Sequence, residues 1–259
     1  MTDPLTCEND PRRDIVEYGR RLHANGFVAA TDGNLSTRLP DGSFLATPTG
    51  TPKEELAPEL LAELDHEGQV VKAKPSSEWP MHFAIYRVRS DVKAIVHAHP
   101  PFATALACSG RAIDHPFLSE TVISLGSVPL VPFSLPSTPE LAREVAESLR
   151  NHNAALLANH GAVTTGPDVR TAYYRLETLE QTARILCYAE MLGGGSSLPL
   201  PAVERLKEMG EAYGLAPAPC PVERASKTDG DGETIVLSRE ELVALLVDFA
   251  SLYCKNGIK

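Results

Sequence analysis

Three histidines carry the chemistry this sequence can do. His97 and His99 stand two apart in VKAIVHAHP, where Val92, Ile95 and Val96 predict a buried strand. Side chains at i and i+2 of a strand leave the same face, so both imidazoles point one way and suit one metal ion. A third, His160, follows the apolar run Ala154 to Ala158, and Gly161 after it marks a turn. That places His160 at the mouth of a neighbouring strand. Three neutral nitrogens with an open position describe a catalytic zinc site, whereas a closed structural site more often uses cysteine. Glu78 closes the run Pro75-Ser76-Ser77-Glu78. It is expected in the first turn of a helix capped by Ser76 or Ser77, where the helix dipole favours an acid. His82, one turn on, shares its helix face and reads as a packed histidine or a partner of the site.

Two stretches can hold an anion. Gly33-Asn34-Leu35-Ser36 and Thr47 to Thr51 combine glycine with small hydroxyl and amide side chains. Such loops offer backbone N–H and hydroxyl donors to a phosphate without net positive charge. Neither continues into Gly-Lys-Ser/Thr, so neither is a Walker-type loop, and neither contains an obligatory lysine or arginine.

The elements that must position these groups alternate along the chain. Residues 1–10 read as frayed, and Asp14 to Gly26 as a helix with apolar residues at helical spacing. A hairpin turning at Asp41-Gly42 leads to a short helix over Lys53 to Leu64, then to a second hairpin at Glu67-Gly68. After the His-x-His strand come a helix from Pro100 to Cys108 and a Pro-rich, mostly extended passage with Glu120 in its middle. Thr138 caps the next helix, with Pro139 at its first position. The longest helix ends at Gly193 to Gly195, and another lies near Ala202 to Tyr213. Ser238-x-x-Glu241 opens a final amphipathic helix as a capping box. Residues 1–222 therefore read as the catalytic domain. Residues 223–259 read as a polar linker and a helix that packs on the same domain or on a neighbouring subunit.

The bulk numbers limit the function classes. The 259 residues suffice for one large domain with a filled core. The formal charge is 24 − 34 = −10, which argues against a nucleic-acid footprint. Five scattered cysteines, Cys7, Cys108, Cys187, Cys220 and Cys254, show no zinc-ligand spacing and fit a reducing compartment. The acidic, polar start is unlike a signal peptide, and no apolar run approaches the roughly 20 residues of a membrane helix. A soluble, cytoplasmic protein is expected.

Five motifs in this order resemble the class II aldolase/adducin family, and most closely its L-fuculose-1-phosphate aldolase branch. They are Gly33-Asn34-x-Ser36 followed by an arginine, Thr47-Pro48-Thr49-Gly50, Pro75-Ser76-Ser77-Glu78, His97-x-His99 and Asn159-His160-Gly161. The resemblance covers roughly residues 10–195. It implies an α/β fold: a three-layer α/β/α sandwich around a central, mainly antiparallel sheet, assembled as a homotetramer with sites at subunit interfaces. It implies one Zn²⁺ per subunit on His97, His99 and His160, with Glu78 as the catalytic acid/base. Asn34, Thr49, Gly50, Ser76 and Ser77 match the positions that hold the substrate phosphate.

The implied reaction is cleavage of a sugar 1-phosphate to dihydroxyacetone phosphate and an aldehyde through an enediolate. The same site could instead serve dehydration of a ketose 1-phosphate, or decarboxylation. A non-catalytic, adducin-like scaffold is a further reading, disfavoured because all three histidines are present. The branch also places a tyrosine over the site from a neighbouring subunit, and this chain has none between Tyr86 and Tyr173. Glu120 in that passage resembles the base of methylthioribulose-phosphate dehydratases, and Tyr253 on the last helix matches a C-terminal aromatic. Both are candidates for a second acid/base.

Overall fold

Strand β5 (Ala94–Ala98) lies at the middle of the sheet, and all five of its residues are buried. A strand covered on both faces needs helices on both faces. β5 pairs antiparallel with β1 (Asn34–Arg38) on one side and with β8 (Gly161–Gly166) on the other. Beyond β1 lie β2 (Phe44–Ala46), β3 (Ala62–Leu64) and β4 (Val70–Lys72); beyond β8 lie β7 (Ala154–Leu157) and β6 (Leu130–Val131). In this computed structural model, which describes residues 10–215, they form one eight-stranded sheet in the order β4-β3-β2-β1-β5-β8-β7-β6. Every pairing is antiparallel except β6 with β7.

The alternation along β5 decides which side chain meets which layer. Ala94, Val96 and Ala98 join a core built with α1 (Pro11–Ala24), α3 (Pro101–Cys108) and α6 (Val169–Met191). Ile95 turns the other way, into a second core with α2 (Trp79–Val88) and α5 (Pro139–Ser148). The expected three-layer sandwich is thus the observed one. Full burial of Ile95 or Val96 is worth roughly 1.5–3 kcal/mol each. By the same period of two, His97 leaves on the α2/α5 face.

Several local expectations are corrected. Helix α1 begins at Pro11, not Asp14, because Asp10 caps it by accepting from the Arg12 N–H at 3.0 Å. The expected helix over 53–64 is instead two 3-10 turns, Lys53–Glu55 and Pro58–Leu60, followed by β3. Pro58 drives Ala57 into extended backbone (φ −131°, ψ 151°), which a continuous helix cannot pass. The passage holding Glu120 is interrupted by a short helix, α4 (Ser119–Ser124), which puts Glu120 in its first turn. Helix α7 (Leu200–Ala212) follows as expected. Tyr253, the Ser238-x-x-Glu241 capping box and the whole 223–259 segment lie outside the described residues.

Candidate metal centre

The three histidines converge. Their ring centroids form a near-equilateral triangle, with His97 5.1 Å from His99 and 4.8 Å from His160, and His99 5.1 Å from His160. One ligand atom from each lies within 4.8 Å of the others. His97 stands in β5, and His99 lies just past its end. His160 occupies a three-residue turn between β7 and β8, whose pairing closes at Leu157 with Gly161. Asn159 takes positive φ (55°), a conformation asparagine tolerates better than most side chains. Gly161 is required by space, because a Cβ there would meet His99 Cδ2 at 2.5 Å and the Ala98 carbonyl at 2.6 Å.

Chemistry and burial leave these rings ready for a cation. His97 Nδ1 lies 2.9 Å from the carbonyl oxygen of Ala162, which can only accept. Nδ1 therefore carries the proton, and Nε2 presents its lone pair to the site. Burial pushes all three imidazoles below the ordinary histidine range, so they are neutral, as ligands must be. His99 Nε2 and His160 Nδ1 are buried without a partner. Neutral nitrogens from three rings, one of each within 4.8 Å of the others, fit a divalent ion.

Glu78 completes the constellation, though not as a helix-capping acid. It is the N-cap residue of α2, yet its side chain makes no cap bond; Ser76 Oγ instead accepts from the Glu78 N–H at 3.3 Å. Its carboxylate is used elsewhere. Oε1 accepts from the Ser137 N–H at 3.0 Å, while Oε2 has no partner and sits 3.3 Å from His97 Nε2 and 3.8 Å from His160 Nε2. Glu78 is only 7% exposed, and burial raises its pKa against the lowering effect of Ser137. With the imidazoles neutral, these contacts are polar and not ion pairs.

A cleft of about 250 Å³ opens over this group. Asn34, Thr49, Gly50, Ser76 and Ser77 all line it with the histidines and Glu78. Asn34 Oδ1 is buried there without a partner. Gly33, which turns the chain into β1 with φ +70°, leaves no room for a side chain, since a Cβ would lie 2.5 Å from Val28 and 2.9 Å from the His97 carbonyl. Glu120 is exposed on α4 and is not among the residues lining the cleft of its own chain.

Asp32 and Ser137 also line the cleft and escaped the sequence reading. Asp32 Oδ2 stands 3.4 Å from His99 Nδ1. A carboxylate there favours the proton on Nδ1 and the lone pair on Nε2. Asp32 had one visible signal, its place beside Gly33-Asn34. Ser137 had none, because nothing local links it to a glutamate 59 residues away.

Ser36 and Arg38 brace α2 behind the cleft. Ser36 Oγ bonds His82 Nδ1 at 2.7 Å and the Tyr86 hydroxyl at 2.8 Å, and the Arg38 guanidinium lies over the Tyr86 ring. Complete burial pushes the His82 pKa down to about 3. Below pH 6.5 the unfolded chain takes up a proton that the folded chain refuses until about pH 3. The stability tied to neutral His82 is thus full above pH 6.5 and is lost as the pH falls, on the order of 1 kcal/mol per pH unit. Urea midpoints of metal-free wild type and His82→Gln at about pH 7 and about pH 4.5 check this. The variant should lose less on acidification, and equal losses would refute the assignment.

A three-layer sandwich with three neutral imidazoles and a buried carboxylate at a sheet end defines a protein with a candidate metal-dependent active site. The chain belongs to the class II aldolase and adducin family: the family profile "Class II Aldolase and Adducin N-terminal domain" matches residues 13–187. It is 38% identical over 188 residues to the 3-oxo-tetronate 4-phosphate decarboxylase of Pectobacterium atrosepticum, covering 70% of this chain and 86% of that one. It is 32% identical over 213 residues to the L-fuculose phosphate aldolase of Escherichia coli K12, covering 80% and 97%. Among solved structures, YgbL from Klebsiella pneumoniae superposes with a TM-score of 0.72 at 37% identity, over 76% of this chain and 97% of that one. No helix among the described residues is long and apolar enough to cross a membrane.

Proposed function

We propose that this protein is a zinc-dependent lyase that decarboxylates a phosphorylated 3-oxo sugar acid of the 3-oxo-tetronate 4-phosphate type, releasing CO₂ and dihydroxyacetone phosphate. The observation that carries this reading is the proton inventory of the cleft. Among the described residues lining it, the ionisable groups are the three histidines, Asp32 and Glu78, and Asp32 faces His99. Glu78 is then the one acid among these groups left to serve a substrate.

Decarboxylation needs only one. The bond between the carboxylate carbon and C2 breaks, and its electron pair stays on C2, conjugated with the C3 carbonyl as an enediolate. A single proton delivered to C2 then gives dihydroxyacetone phosphate. Glu78, with its raised pKa and a free Oε2, is placed to hold and deliver that proton, and solvent restores it. Aldol cleavage of a ketose phosphate needs in addition a base for the hydroxyl proton of the departing aldehyde. When bound, a divalent ion on His97, His99 and His160 supplies Lewis-acid stabilisation of the developing oxyanion. Three imidazoles with an open position favour zinc. Asn34, Thr49, Gly50, Ser76 and Ser77 hold the phosphate and so fix the reacting carbons relative to Glu78. The 38% identity to a decarboxylase, above the 32% to an aldolase, supports the same choice.

Cleavage of a sugar 1-phosphate to dihydroxyacetone phosphate and an aldehyde is the second reading, supported by the 80% of this chain that aligns with the E. coli aldolase. It calls on Glu120 or Tyr253 as the extra acid/base. Glu120, being outside its own cleft, would act from a neighbouring subunit of a homotetramer. Both reactions yield dihydroxyacetone phosphate, so the co-product decides. Zinc-loaded protein given 3-oxo-tetronate 4-phosphate or L-fuculose 1-phosphate should release CO₂ from the first at a far higher kcat/KM than aldehyde from the second. The reverse order would overturn decarboxylation in favour of aldol cleavage.

A further inference from the structure

The cleft that takes a phosphate in this reading has no cationic side chain among its described lining residues. Its proposed donors, Asn34, Thr49, Gly50, Ser76 and Ser77, are neutral, and the Asp32 carboxylate has the wrong sign. A phosphate monoester carries about −1.5 to −2 charges at neutral pH. Neutral donors can shape its site but do not neutralise it.

Lys53 lies behind the loops that form this wall. It is 1% exposed, which is rare for a lysine without an anionic partner. Among the described residues no carboxylate forms a salt bridge with it. Its Nζ instead donates to the carbonyl oxygens of Thr31 and Thr51, each at 3.0 Å. Thr31 precedes Asp32, Gly33 and Asn34, and Thr51 follows Thr49 and Gly50, so one ammonium ties together the two loops that form the anion end of the cleft. Burial pushes its pKa down to about 8, and Asp32 opposes the shift, so the charge persists at neutral pH. Two carbonyl dipoles satisfy part of the ammonium, and Asp32 offsets its charge only from beyond salt-bridge distance.

We propose that Lys53 is the counter-charge for a phosphate monoester in this cleft, acting through the two loops it holds, and that it selects phosphorylated ligands over their unphosphorylated counterparts. The proposal rests on the reading that the substrate is phosphorylated. Lys53 is a positioning residue, since it reaches the ligand only through Thr31, Thr51 and the loops they bound. A purely mechanical strut would use the same two hydrogen bonds, so the test must separate charge from shape.

The probes are phosphoglycolohydroxamate and glycolohydroxamate, enediolate mimics that differ only by the phosphate, titrated calorimetrically into zinc-loaded wild type, Lys53→Arg, Lys53→Gln and Lys53→Met. Wild type should prefer the phosphorylated mimic. The two neutral variants should bind it about tenfold more weakly while holding glycolohydroxamate and zinc as wild type does, and Lys53→Arg should retain the preference. Equal weakening of both mimics in the neutral variants would make Lys53 a strut and overturn the proposal. Unchanged affinity for the phosphorylated mimic would overturn it too, leaving the phosphorylated-substrate reading intact. A wild type indifferent to the phosphate would remove that reading and the proposal together. If Lys53→Met does not fold, the arginine and glutamine variants decide, because glutamine keeps two N–H donors without the charge.

Discussion

Glu78→Gln is expected to lower kcat by about 10²–10⁴-fold while leaving bound metal and KM nearly unchanged. The argument is geometric. Oε1 is held by the Ser137 N–H at 3.0 Å, and a glutamine carbonyl can accept that same bond. Oε2 is the free atom beside the histidines, and glutamine puts there an amide that cannot exchange a proton with carbon. The amide matches the carboxyl group in size and keeps the Ser137 contact. The substitution is thus expected to remove proton delivery with little disturbance of shape. Steady-state kinetics together with metal analysis of the purified variant provide the check. A kcat within a few-fold of wild type would show that another group moves the proton.

His97→Ala is expected to strip the protein of metal and reduce turnover to background. Of the three rings, His97 is the one anchored in the middle of the sheet. It is 1% exposed, and its Nδ1 is locked on the Ala162 carbonyl at 2.9 Å. His99 lies past the strand end and His160 sits in a turn, so two ligands on less confined backbone would remain. Groups that merely orient a ligand are typically worth 10–100-fold in metal affinity, so losing a ligand itself should cost more than about 100-fold. Chelator competition measures the affinity, and melting of the metal-free variant separates ligand loss from misfolding. Stoichiometric zinc and full activity in this variant would end the metal-site reading.

The parts of this arrangement that were legible in the sequence depend on short-range rules. The period of two put His97 and His99 on one face, and Asn159-His160-Gly161 after an apolar run announced a turn that presents an imidazole. Strands, helices and two short hairpins could be read locally, whereas the layered sandwich followed from the family resemblance that the five ordered motifs carry. What stayed hidden depends on distances between loops. Ser137 meets Glu78 across 59 residues, and its positive φ of 65° leaves no mark on a serine. Lys53 sits in Lys-Glu-Glu-Leu, a helix-favouring run that masks the break Pro58 imposes at Ala57. Helix α4 has six residues, too few for a 3.6 period to stand out between Pro116 and Pro129. Glu78 as an N-cap residue that does not cap is visible only in coordinates.

The pairing of β5 with β1 sets Asn34 against His97 and Ser36 against Ile95, and that alignment has a price beyond lost hydrogen bonds. A slip of β5 by one position would swing the imidazole of residue 97 into oily packing against α1, α3 and α6, and would offer the methyl groups of Val96 or Ala98 to the ion. Catalytic identity here is inherited from strand alignment. Changes that leave the interior equally greasy but blur the match between neighbouring strands could yield a stable, well-folded molecule with no enzyme in it.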